Sequence, residues 1–261
     1  MDAERLRIEE DLRGQIEGEV YGDDLFVQMY ASDASIFESP PLAVVRPRTR
    51  DDVVAVVRYA AEHALPVIAR GAGSGLAGET LGRCLVIDFS RYFRRILAVE
   101  DDWAVVQPGV VLSQLNERLR KAGRLFGPDP ANEQTTTMGS VIALDASGSH
   151  WPAYGSARDH VRELEVVLAD GRAVRLARHQ PPSSSRSRDE DPAGYLAAGV
   201  REIATHHRAA IDQHRPRSLV NRSGYHLHDL ETDEGVDLAR LLAGSEGTLA
   251  LVTEAVGGTS P

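Results

Sequence analysis

Cysteine is nearly absent from this sequence: Cys84 is the only one in 261 residues. A single thiol excludes an intrachain disulfide framework and a cysteine-ligated metal or iron–sulfur site within this segment. Set in Cys84-Leu85-Val86-Ile87, it reads as a buried apolar residue. Long apolar runs are lacking too. None approaches the ~20 residues of a membrane-spanning helix, and the opening Met1-Asp2-Ala3-Glu4-Arg5 is charged where a signal peptide needs an apolar stretch. Neither an integral membrane segment nor a secretory leader is expected, and the expected compartment is the cytoplasm. Positive charge is in deficit, with a formal net charge of -10 and no basic stripe, so nucleic acid is excluded as a partner. What is present is 42% hydrophobic content over 261 residues, enough to bury one large core or two smaller ones.

Hydrophobic patterning divides the chain into recognisable elements. Residues 4 to about 30 carry an acidic, mildly amphipathic helical pattern, with Leu6, Ile8, Leu12 and Ile16 near a helical period. Ala43-Val44-Val45 reads as a buried strand, and Thr49-Arg50-Asp51-Asp52 as the start of a helix running to about His63. Pro66 to Ala69 and Cys84 to Asp88 read as further strands, which makes a small β-α-β unit. Trp103 to Val106 reads as a strand, Val111 to Ala122 as a helix stopped by Gly123, and Leu164 to Leu176 as a hairpin around Asp170-Gly171. Residues 179 to 193, rich in Pro, Ser and alternating charge, read as a mobile loop before a helix from about Ala193 to Gln213.

The stretch Arg70-Gly71-Ala72-Gly73-Ser74-Gly75-Leu76-Ala77-Gly78-Glu79-Thr80 places four glycines in eight residues directly after a strand. Glycine accepts positive φ and has no Cβ, so successive backbone N–H groups can line one concavity and hold an anion such as a diphosphate. The spacing is not that of a P-loop, since no Lys follows Gly78. It fits a Rossmann turn poorly, because the chain runs on toward another strand and not into a helix. Taken alone, the loop is also readable, with less weight, as a flexible surface connection. Three later clusters share its character. Thr135-Thr136-Thr137-Met138-Gly139-Ser140 suits a helix start whose N–H groups and hydroxyls meet a polar ligand. Asp145-Ala146-Ser147-Gly148 and Gly244-Ser245-Glu246-Gly247-Thr248-Leu249 are tight small-residue turns.

In order and spacing, these segments, together with Pro128-Asp129-Pro130, Tyr154 to His160 and the Leu164 to Gly171 hairpin, resemble the FAD-binding domain of the vanillyl-alcohol-oxidase-type flavoproteins. The resemblance covers nearly all of residues 40 to 256 and is nearest to the branch of glycolate oxidase and the D-lactate and D-2-hydroxyglutarate dehydrogenases. Asn221-Arg222-Ser223-Gly224-Tyr225-His226-Leu227 further resembles bacterial FAD-linked oxidases that continue into an iron–sulfur region. The resemblance implies an α+β, two-subdomain FAD-binding fold: a helical lead-in at 1–39, a small α/β subdomain at 40–98 and a larger α+β subdomain at 99–256, with the flavin between the last two. It implies hydride transfer from a small-molecule D-2-hydroxy acid to the flavin. Substrate residues would lie mostly in a cap domain, and an iron–sulfur cluster only in a C-terminal region; neither is expected within these 261 residues. The segment alone is therefore expected to bind FAD without turnover, needing a cap or iron–sulfur domain or subunit and an electron acceptor. A noncatalytic flavin-binding subunit is the alternative, and a peripheral place at the inner membrane through an electron-transfer partner is allowed. The cell-wall-precursor reductase of the same fold is disfavoured by the P-D-P, Y-G-S-x-R-D and G-S-E-G-T-L elements together.

Carried over residue by residue, the resemblance assigns cofactor contacts to Arg70, Gly71, Ala72, Gly73, Ser74, Gly75, Leu76 and Gly78, then to Pro128, Asp129, Thr136, Thr137, Met138, Gly139 and Ser140. Ser147, Gly148, Gly247, Thr248 and Leu249 complete the set. No His lies in Arg70 to Thr80, so the flavin is expected to be noncovalent from that loop. Asp145 stands where relatives carry Asn, and a carboxylate beside a flavin is expected to weaken anion binding. Arg222, Tyr225 and His226 are the candidates for flavin-proximal or substrate-side contacts, while His150, Arg158 and His160 are expected to be structural. His226 and His228 would share a face if their segment were a strand, but with no third ligand in view no metal is expected.

Overall fold

In a computed structural model that describes residues 2–179, 187–218 and 223–261, Ile8 and Leu12 are fully buried. They lie one turn apart on helix α1 (Ala3–Arg13), as the spacing requires. The lead-in is not wholly helical. Glu19–Tyr21 forms strand β1 and Asp24–Met29 helix α2, because Val20 pairs with Val45 of β2 (Ala43–Arg46) and joins its core. Helix α3 (Arg50–Glu62) starts at the expected capping box, in which Thr49 accepts from the Asp52 N–H and Asp52 accepts from the Thr49 N–H. Strands β3 (Val67–Arg70) and β4 (Leu85–Asp88) follow. The sheet order is β1-β2-β4-β3, with β2, β4 and β3 mutually parallel. β3 is an edge strand, and the glycine loop leaves its carboxyl end, where open α/β sheets bind ligands.

A second, antiparallel sheet follows. β5 (Ile96–Val99), β6 (Trp103–Val106), β7 (Val161–Leu168), β8 (Ala173–Leu176) and β12 (Ala250–Gly258) are arranged β5-β6-β12-β7-β8. Its apolar face packs on α4 (Leu112–Arg120), α5 (Met138–Ala143) and α8 (Pro192–His206), around Phe126, Ile142 and Leu164. The short helices α6 (Trp151–Tyr154) and α7 (Ala157–His160) join α5 to β7. Three two- to three-residue strands, β9 (Arg178–His179), β10 (Glu231–Thr232) and β11 (Gly235–Asp237), form a small third sheet before α10 (Leu238–Leu242). Helix α8 ends at His206 and α9 (Arg208–Gln213) begins after His207, so the expected single helix is two. The loop expected at 179–193 falls partly outside the described residues, with His179 in β9 and Pro192 at the start of α8. The two larger sheets are not independent: Val167 and Leu251 of the second are buried in the core of the first.

Candidate functional site

The glycine loop is anchored from below. Arg70 donates from Nη1 to the Tyr30 carbonyl (3.2 Å) and from Nη2 to the Ser32 carbonyl (2.7 Å), with its guanidinium 5.1 Å from the Tyr30 ring centre. Tyr30 is held in turn, its hydroxyl donating to Asp88 Oδ2 (2.5 Å) and accepting from Arg46 Nη2 (2.9 Å). Burial, and next the Asp88 carboxylate, push the Tyr30 hydroxyl up to about 12. Two of Arg70's five N–H donors thus go to neutral carbonyls, which hold its positive charge beneath the loop.

Glycine is required in the loop for two different reasons. Gly73 and Gly78 have φ +64 and +79, in the left-handed region. Gly71 lets β3 approach α5, since a Cβ there would overlap Thr137 Oγ1 and lie 2.8 Å from Ser140 Oγ. The loop thereby meets the amino end of α5 across a cleft of about 490 Å³, within the size range of cofactor sites. Gly73, Ser74, Gly75, Thr136, Ser140, Ser147, Gly247 and Thr248 line it, all of them expected from the sequence. A smaller recess shares Ser140 and Gly247 and adds Arg70, Gly71, Thr137 and Gly139. Ser147 Oγ is buried with no hydrogen-bond partner among the described residues, so a ligand hydroxyl or phosphate in the cleft would satisfy it. The cleft is lined by glycines and hydroxyls together with Glu79 and Glu246, while the anchored Arg70 guanidinium lies in the adjoining recess, an arrangement that fits a polyhydroxylated ligand whose anionic part is held by the glycine loop.

Other expected contacts fall elsewhere. Met138 is buried in the core, and its N–H donates to the Val110 carbonyl while that of Gly139 donates to Pro108. The first N–H groups of α5 are therefore committed to the protein. Asp129 accepts from the His150 N–H (3.2 Å) and Ser149 Oγ (3.0 Å) and lies 2.5 Å from His150 Nδ1. These bonds, set against burial, hold its carboxyl below the usual range. Its neighbour Pro130 lines the cleft in its place. Gly148 packs on the Asp129 backbone, Gly78 on Phe37, and Ala72, Leu76, Pro128 and Leu249 are not among the lining residues of either space. Asp145 does not confront the cleft with charge. It is 1% exposed, accepting from the Arg158 N–H (2.9 Å) and Nε (2.6 Å), which also gives Arg158 its structural role.

Asn132 and Glu79 are cleft residues that the sequence reading did not single out. Glu79 folds its carboxylate against Gly75 and accepts from the Ala77 N–H (3.1 Å). Its position one residue beyond the last loop glycine was the available signal. Tyr225 reaches the cleft wall through a 2.7 Å bond with Thr248 Oγ1, whereas His226 lines a separate cleft with Arg158 and Arg240. Burial, then Arg158, His228 and Arg240, depress His226 to about 4. The segment bearing His226 and His228 is irregular, not a strand, and Arg222 lies outside the described residues.

Residues 41–177 match the family model described as FAD binding domain. Among curated proteins, D-2-hydroxyglutarate dehydrogenase of Pantoea ananatis is 35% identical over 234 residues, covering 86% of this chain and 23% of that protein. Glycolate oxidase subunit GlcD of Bacillus subtilis is 30% identical, covering 87% of this chain and 39% of that subunit. D-lactate dehydrogenase of Archaeoglobus fulgidus is 30% identical, covering 86% and 42%. The chain thus spans about a quarter of the length of the dehydrogenase from Pantoea. A solved structure of alkyldihydroxyacetonephosphate synthase superposes over 100% of this chain and 40% of its own, with a TM-score of 0.67 at 19% identity, a likeness of fold.

Proposed function

From the premise that this chain belongs to the FAD-binding domain family, we propose that the cleft between the glycine loop and α5 holds FAD noncovalently. We further propose that the chain is the cofactor module of an oxidoreductase acting on a D-2-hydroxy acid. The observation that carries the cofactor reading is the convergence of Gly73, Gly75, Thr136, Ser140, Ser147 and Gly247 on one cleft, drawn from three segments of the chain well separated in sequence. In this reading the loop from Arg70 to Gly78 holds the diphosphate, its backbone N–H groups binding oxygens while the Arg70 charge beneath favours an anion. Ser140, Ser147 and Thr248 orient the hydroxyl-bearing part, and the Tyr225–Thr248 bond braces that wall. When bound, the flavin supplies a hydride acceptor at N5 for a substrate Cα–H. Support for the substrate class comes from the D-2-hydroxyglutarate, D-lactate and glycolate enzymes among the relatives.

Titrating the purified chain with FAD, and following flavin fluorescence and absorbance, tests the reading. Saturable one-to-one binding is expected, and Gly73→Val, which forces a branched side chain into the left-handed region, is expected to abolish it. No binding by the folded wild-type chain would refute the cofactor assignment. The substrate class is tested by screening glycolate, D-lactate and D-2-hydroxyglutarate with a dye acceptor on the full-length protein. Reduction by none of them would refute that part.

A further inference from the structure

Away from the cofactor cleft, the irregular segment 223–230 presents His226, His228 and Asp229 together. One ring nitrogen from each imidazole and one Asp229 oxygen lie within 4.8 Å of one another, and the two ring centres are 4.0 Å apart. His226 Nε2 is buried with no hydrogen-bond partner among the described residues, a condition that costs stability unless something fills it. Ligand atoms on a tetrahedral zinc, each roughly 2.0–2.2 Å from the metal, sit roughly 3.3–3.6 Å from one another. The cluster therefore needs to contract by about 1 Å, which side-chain rotations on an irregular segment supply.

The surrounding positive charge is offset in part. Three guanidinium groups lie nearby: Arg158 is paired with Asp145 and Arg240 with Asp159, while Arg215 is paired with the ligand Asp229 itself, so the cation would bind against one guanidinium that no other carboxylate offsets. Arg215 engages Asp229 Oδ2 at 2.6 Å, leaving Oδ1 to ligate. Ligating carboxylates are commonly oriented by such an outer hydrogen bond. Two imidazoles and one carboxylate form a donor set suited to zinc.

We propose that His226, His228 and Asp229 form a zinc site, with three protein donors and a fourth position for water. It would act as a clasp, fixing segment 223–230 across the cleft of about 430 Å³ from Arg158 of α7 and Arg240 of α10. The site stands independently of the flavin assignment.

The test is zinc calorimetry on the metal-free chain with any affinity tag removed, together with Co²⁺ absorption. Expected are one equivalent bound at micromolar or lower concentration, visible tetrahedral Co²⁺ bands, and a loss of at least about tenfold in affinity, ~1.4 kcal/mol, in His226→Ala, His228→Ala and Asp229→Asn. Asp229 is exposed, so Asp229→Asn keeps the test open if His226→Ala fails to fold. Absence of saturation below about 100 μM, ~5.5 kcal/mol, or binding that Asp229→Asn and His228→Ala leave unchanged, would overturn the proposal.

Discussion

Replacing Asp145 by Asn tests whether the ion pair beneath the Gly244 turn holds this half of the molecule together. Arg158 and Asp145 are 5% and 1% exposed, joined by a 2.6 Å Nε–Oδ2 contact and a 2.9 Å bond from the Arg158 backbone. Asn can keep an oxygen for the backbone N–H, but it then turns its amide N–H₂ toward the guanidinium, setting donor against donor and leaving a buried charge without a counterion. Breaking a buried pair on one side costs about 3–5 kcal/mol. In a chain of this size that lowers the melting temperature by roughly 10 °C and the urea midpoint by about 1–2 M. Urea unfolding followed by tryptophan fluorescence reads both midpoint and slope. An Asp145→Leu/Arg158→Met double variant, which removes both charges, is expected to recover at least about half the loss. A Cβ on Gly244 would lie 2.8 Å from Arg158 Nη2 and 3.2 Å from the Asp145 Cβ. The pair thus underlies the turn that delivers Gly247 and Thr248, and Asp145→Asn should weaken FAD binding as well. A variant with wild-type midpoint and slope would refute the reasoning.

Gly71→Ala drives a methyl into Thr137 and Ser140, so a stability loss of about 1–3 kcal/mol and weaker FAD binding are expected; unchanged urea unfolding would show that the loop and α5 can part freely. Glu79→Gln removes the carboxylate beside Gly75 while keeping an acceptor for Ala77. In a fluorescence titration it should tighten FAD binding roughly tenfold by relieving repulsion of the diphosphate, and weaker binding would instead assign Glu79 to a ligand hydroxyl. Burial pushes the Cys84 thiol up to about 12 from 9.0, and burial with Asp88 raises Tyr30 to about 12 from 10.0. Both folded-state values are raised, so their stabilisation is complete below pH 9 and lost as pH climbs from 9 to 12. Tyr30→Phe should flatten the part of that decline above pH 10 in an alkaline unfolding series, and an unaltered profile would count against the buried hydroxyl.

Legibility in the sequence tracked how local each signal is. The Thr49 capping box, the β2-α3-β3 unit and the β7–β8 hairpin, whose Gly171 has φ +76, are written in residues a few positions apart. Strand β1 was hidden because three residues set in acidic sequence become a strand only by pairing with Val44, Val45 and Arg46. The fate of the α5 N–H groups was equally illegible, since their acceptors Pro108 and Val110 lie about thirty residues upstream. Asp145 read as a liability because its partner Arg158 stands thirteen residues away, beyond α6 and within α7. Around the cleft, glycine- and hydroxyl-rich segments stand out because backbone freedom is itself the signal, while their assignment residue by residue rests on the resemblance. It said nothing of Asn132 and Glu79, whose place depends on the neighbouring fold.

The central position of β12 has a consequence for biosynthesis. It is the last strand of its sheet to be made, yet it sits between β6 and β7, so the two hairpin-like halves of that sheet have no shared neighbour until residues 250–258 emerge from the ribosome. Nascent chains ending before this point expose two unpaired strand edges at once, a state open to chaperone capture or to pairing with another chain. Synthesis stalled near residue 245 should therefore leave the second sheet digestible and the first only partly protected, since its core then lacks Leu251, and a separately supplied β12 peptide would have a ready-made slot to enter.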